Sequence, residues 1–273
     1  CENLAYENYE SQRGEPRFEL LTRDDKVLSV VTSQVIASRK QVDAPFTTPP
    51  TKTTIATIGV GLLITGVVFG VVYGLLLAVP SLQQASAVVL VVAILIHACS
   101  MLAATVFLLR KSNITLTGIG FGRPSWRLLH LLWQVPTIIV ALLIAQGLVF
   151  VVTGNNPSGD SDATASLAME VTPLLVVLLF IAVAVLTPLW EEILFRGMLQ
   201  GSVAARFGRL VGVVVSALVF AAAHGVPILL PYMVVLGVSL ALLREFHRNL
   251  WAPLAMHCFL NTIASSAVLG AVI

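Results

Sequence analysis

From Thr53 to Leu109 the sequence runs without a single Asp, Glu, Lys or Arg. A bilayer crossing takes ~20 apolar residues, and this run has room for two. Its only ionisable side chains are Tyr73, His97 and Cys99. Further apolar runs follow, and the 273-residue chain is 57% hydrophobic and 11% charged, with a mean hydropathy of +0.93. Soluble domains carry roughly 25% charged residues. An integral membrane protein is therefore expected, with spans near residues 54–79, 86–109, 128–153, 171–189 (continuing as helix to about 205), 209–225, 228–243 and 251–272. The runs are too long and too uniformly apolar for barrel strands, which alternate. The expected fold class is an all-α polytopic membrane protein, a bundle of about seven to eight transmembrane helices.

Charge divides the chain into three regions. Residues 1–52 hold 8 of the 14 acidic and 7 of the 16 basic residues and end in a Pro- and Thr-rich stretch, so they read as a disordered tail. Residues 53–170 carry the first helices and loops, and residues 171–273 the helices that bear the chemistry. Arg110, Lys111, Arg123 and Arg127 share one connection, Arg206 and Arg209 the next turn, and Arg244 and Arg248 a third. The intervening connections have no basic residue: 80–85 is uncharged, and 154–170 carries only Asp160, Asp162 and Glu170. This asymmetry predicts a cytoplasmic N-terminus. A net charge of +2 with dispersed basic residues argues against a nucleic-acid partner, and three cysteines, two of them in spans, argue against a disulfide framework.

Ionisable groups inside spans are costly, at least ~2.5 kcal/mol each at mid-bilayer, so those present call for a reason. Glu191, Glu192 and Arg196 close the uncharged run Val171–Leu189. On a helix Glu192 and Arg196 are four residues apart and can pair, while Glu191 points about 100° away. Glu192 is thus the neutralised carboxylate and Glu191 the available one. Pro188 just upstream is expected to kink the span and admit water.

A helical hairpin turning at Phe207-Gly208 would return His224 to the depth of Glu191, where the two could share a water or a metal. Both lie about 24 Å from that turn at 1.5 Å per residue, so the arginine-bearing tip must project beyond the hydrocarbon on the cytoplasmic side. His257 and Asn261 share one helix face, as do Phe220 and His224. A carboxylate with histidines can activate water, and an amide with a histidine can stabilise an oxyanion. Each residue also has a plainer reading: His97 as a hydrogen-bonded packing residue, Asn261 as interhelical glue, the glutamates and Arg196 as a buried ion pair. Glu245 and His247, in the basic 244–250 connection, read as solvated.

Three motifs in order, Glu191-Glu192-Ile193-Leu194-Phe195-Arg196, Phe220-Ala221-Ala222-Ala223-His224 and His257-Cys258-Phe259-Leu260-Asn261, resemble those of the CPBP family of intramembrane proteases. That family includes the CAAX prenyl endopeptidases and the bacterial Abi-type bacteriocin-processing and self-immunity proteins, and it commonly has eight helices. The resemblance covers about residues 171–265. It implies that Glu191 and His224 activate the hydrolytic water and that His257 and Asn261 stabilise the transition state or bind metal, with Glu192, Arg196 and Phe220 supporting. It also implies a peptide or protein substrate, prenylated in the CAAX branch, and a candidate divalent metal such as zinc on Glu191, His224 and His257. No helical His-Glu-x-x-His pattern accompanies this set. The function expected is an intramembrane endopeptidase cutting near the cytoplasmic face. A proton-coupled transporter or a non-catalytic scaffold of the same fold are the alternatives.

Overall fold

The computed structural model describes residues 46–83, 85–154 and 172–270, with side chains to Ser266. The tail as far as Pro45 and the acidic loop with Asp160, Asp162 and Glu170 lie outside the described residues. Within them the chain is helical, with no strand. The helices are α1 (Thr51–Ala78), α2 (Pro80–Gln83), α3 (Ser86–Lys111), α4 (Leu116–Ile119), α5 (Leu131–Thr153), α6 (Pro173–Phe207), α7 (Arg209–Ala223), α8 (Leu230–His247) and α9 (Trp251–Gly270). Each of the seven apolar runs becomes a helix. Among the described residues five segments are long and apolar enough to cross a membrane: Thr51–Ala78, Ser86–Lys111, Trp126–Thr153, Pro173–Phe207 and Pro227–His247. At 15 residues α7 is apolar but shorter than a full crossing.

The central element is α6, buried at every position from Trp190 to Gln200. It is not a uniform α-helix, because wider π-helical turns occupy Ile181–Leu186 and Glu192–Gln200. The first precedes Pro188, whose ring lacks an N–H and crowds the carbonyl four residues back in a regular α-helix. Helical structure therefore continues through the proline.

Gly208 ends α6 with φ 92° and ψ 161°, a backbone that L side chains rarely adopt, and α7 starts at the next residue. The hairpin turns where the sequence placed it. Its two arms meet closely at Gly212, where a Cβ would lie 2.8 Å from Ala204 Cβ and 2.9 Å from the Gln200 carbonyl oxygen. Next, α8 packs on α7 through Gly237, where a Cβ would lie 3.0 Å from both the Cα and the carbonyl oxygen of Ala217. Small residues let the two backbones approach, as membrane helices require in the absence of a strong hydrophobic drive between them. Gly237→Val would force them apart. A loss of about 1–3 kcal/mol is expected from overpacking, seen as a lower unfolding temperature in detergent; an unchanged transition would show that the contact is slack.

Two sequence expectations are corrected here. Residues 46–52 do not belong with a disordered tail. The Arg244 guanidinium lies 4.1 Å from the centre of the Phe46 ring, Thr47 N–H donates to Gly118 O at 2.6 Å, and Ser202 Oγ–H donates to Pro49 O at 2.9 Å. Ser202, buried on α6, needs that carbonyl as acceptor, and it receives a further hydrogen bond from Thr54 on α1 at 2.8 Å. Composition cannot show a tertiary partner of this kind.

Nor are Glu245 and His247 simply solvated. His247 is 3% exposed and makes a 2.7 Å hydrogen bond to Gln134 Oε1 on α5. Glu245 Oε1 accepts from Arg244 at 2.7 Å and from Gln200 on α6 at 2.9 Å. The charges mark the end of an apolar run, but α8 continues through them to His247 and packs its polar residues against its neighbours, with Arg244 and His247 buried and Glu245 partly exposed. His97, by contrast, is the packing histidine expected: it hydrogen-bonds Thr65 Oγ1 at 2.9 Å between the rings of Phe69 and Trp190.

Candidate active site

The middle of α6 supplies both carboxylates. Arg196 Nη1 donates to Glu192 Oε1 at 3.0 Å, and both side chains are 0% exposed. The guanidinium also donates through Nη2 to the Gly237 carbonyl of α8 at 3.2 Å and lies 4.2 Å from the centre of the Phe220 ring on α7. One buried cation thereby joins α6, α7 and α8. Such a charge is tolerable only when paired and hydrogen-bonded.

His257 enters from α9 between the two glutamates. Its Nδ1 is 2.8 Å from Glu192 Oε1 and its Nε2 3.5 Å from Glu191 Oε2. Glu192 Oε1 already accepts from Arg196, so the imidazole is the donor and Nδ1 carries the hydrogen. Glu192 is therefore more than the partner of Arg196, the single role read from the sequence. Glu191 Oε2 has no hydrogen-bond partner. Glu192 thus accepts from two donors, while none reaches Glu191 Oε2.

His224 is the C-cap of α7, just beyond Ala223, and is followed by the left-handed Gly225, with φ 65°. Its Nδ1 donates to Phe220 O at 2.9 Å, and because a carbonyl only accepts, the neutral ring leaves Nε2 bare. No direct hydrogen bond joins it to Glu191. What connects the histidines is Phe220, 0% exposed, with its ring centre 4.7 Å from His224 and 5.8 Å from His257. Asn261 is held elsewhere: Nδ2 donates to Val183 O at 2.8 Å, a carbonyl in the first widened turn of α6. One of its two N–H bonds is thereby committed to holding α9 on α6.

A catalytic zinc takes three protein ligands and an open position. Among the described residues no three His, Cys, Asp or Glu side chains gather to hold a metal. Glu191 Oε2 and His257 Nε2 face each other, but His224 does not complete the set. The donors as arranged do not fit that ion. Sequence reading also missed the backbone acceptors at Gly237 and Val183, and Trp190, whose buried indole Nε1 has no partner. Nothing in a side-chain motif signals which distant carbonyl a guanidinium or amide will reach.

Residues 173–263 match the family model of the Rce1-like type II CAAX prenyl endopeptidases. The match spans α6 to α9, the same four helices that carry Glu191, Glu192, Arg196, Phe220, His224, His257 and Asn261. The match supports endopeptidase activity of the CAAX type in general. No curated protein and no solved structure matches the chain.

Proposed function

We propose that the protein is an intramembrane endopeptidase in which Glu191 takes a proton from the attacking water. The observation that carries this reading is the contrast between adjacent carboxylates: Glu192 is tied to Arg196 and His257, while Glu191 Oε2 has no hydrogen-bond partner and faces an imidazole nitrogen. A general base must have a lone pair free for its proton. The bare Nε2 of His224 shares in moving that proton; His257, once Nε2 as well as Nδ1 carries a hydrogen, and the second N–H of Asn261 donate to the tetrahedral oxyanion. No step is routed through a metal, because the donors do not fit one.

The Rce1-like match makes a protein with a prenylated C-terminus the substrate class to test first. The arginine-bearing connections favour a cytoplasmic N-terminus, with the cut near that face. The test uses the purified full chain in detergent with a peptide ending in a prenylated CAAX sequence, and the same peptide without the lipid. Cleavage of the first, detected by mass spectrometry, with at least about tenfold lower kcat/KM on the second, is expected if the lipid contributes ~1.4 kcal/mol or more to recognition. Equal cleavage of both would remove prenylation from the reading but keep the protease. Cleavage of neither, with proton-coupled flux in proteoliposomes, would replace it with the transporter.

A further inference from the structure

We infer that Glu192 is a positioning residue for His257, an inference that rests on the endopeptidase reading. The imidazole is 2% exposed and has two ring nitrogens turned to two different carboxylates. The shorter contact, 2.8 Å from Nδ1 to Glu192 Oε1, has hydrogen-bond length, whereas the 3.5 Å approach of Nε2 to Glu191 Oε2 is looser. The first therefore fixes the ring, and the second is where the ring is aimed. A carboxylate on Nδ1–H selects the tautomer, leaving Nε2 as the atom presented to the reacting centre, next to the proposed base.

Glu192 is itself immobilised. Arg196 holds the same Oε1 atom from the next turn of α6, and Gly237 O and the Phe220 ring hold Arg196. The chain of contacts runs from the α8 backbone through Arg196 and Glu192 to His257, so the aim of the imidazole is set by the packing of α6, α8 and α9. Arg196 alone would account for a buried glutamate. It does not account for Oε1 being shared with His257 while Oε2 of the same carboxylate is left without a partner.

The test separates orientation from charge balance. Glu192→Gln keeps an oxygen that can accept from Nδ1–H, whereas Glu192→Leu does not. Because Glu192→Leu strands a buried guanidinium, Glu192→Leu/Arg196→Met supplies a variant with neither charge. Kinetics are measured with 15N-histidine NMR of the full chain in detergent, where the hydrogen-bonded Nδ1–H of His257, assigned by its loss in His257→Gln, reports the contact without any turnover.

Loss of the group that orients a catalytic imidazole costs on the order of 10²- to 10⁴-fold in kcat. A fall of that size, with KM within a few-fold of wild type, is expected for the double variant. The Nδ1–H signal should be lost with it, and Glu192→Gln should recover part of both. A double variant that turns over like wild type, or a wild-type His257 without a hydrogen-bonded Nδ1–H, would overturn the assignment. If wild type cleaves no peptide, the endopeptidase reading fails on its own account. The NMR signal then still decides whether Glu192 sets the tautomer of His257.

Discussion

Glu191→Gln is expected to abolish peptide hydrolysis and leave the fold intact. Glutamine preserves the size of the side chain, and the oxygen it alters, Oε2, has no hydrogen bond to lose. Its amide would face His257 Nε2, at present 3.5 Å from Oε2, and could donate to it. The unfolding transition in detergent should therefore stay close to wild type. What disappears is the lone pair that accepts the proton of water. General-base catalysis is worth about 10²- to 10⁴-fold, or roughly 3–5 kcal/mol of barrier, enough to take a slow intramembrane reaction below detection. Wild-type turnover by a folded Glu191→Gln protein would sink the proposed mechanism. The comparison with Glu192→Gln is informative, because that change neutralises a neighbouring carboxylate that orients His257 while leaving the proposed base in place.

The sequence showed the helices readily because a bilayer imposes one requirement on every span, and length with apolarity reports it. The hairpin turn at Gly208 was legible for a related reason, since only a residue free of Cβ constraints suits φ 92° between two helices. The pairing of Glu192 with Arg196 followed from helical spacing alone. Legibility ended wherever a partner came from a distant segment. His257 reaching Glu192 Oε1, Asn261 reaching Val183 O and Arg196 reaching Gly237 O all depend on how α6, α8 and α9 pack. The widened turns of α6 were invisible too, because they respond to Pro188 and to tertiary contacts with no pattern of their own. The same blindness made Phe46–Pro50 look like tail and His247 look like surface. Composition records whether a residue prefers water, but not whether the fold supplies an alternative.

Arg196→Met is expected to destabilise the protein more than any other single change considered. Methionine approximates the apolar stem but leaves Glu192, 0% exposed, with one hydrogen-bond donor, His257 Nδ1, for a full negative charge. Breaking a buried pair in this way costs about 3–5 kcal/mol, because the surviving ion has lost its counter-charge without regaining water. The Gly237 carbonyl loses its donor and Phe220 its cation at the same time. Against a total stability of about 5–15 kcal/mol, this is a large share. A sharply lower unfolding temperature and poor recovery from the membrane are the expected observations. The decisive comparison is with Glu192→Leu/Arg196→Met, which removes both ions and leaves apolar side chains of similar volume. If the cost lies in an uncompensated charge, the double variant is more stable than Arg196→Met, a non-additive result that contact counting cannot produce. If the double variant is as unstable as the sum of its parts, the hydrogen bonds and the contact with Phe220, not the charge pairing, hold α6 to α7 and α8.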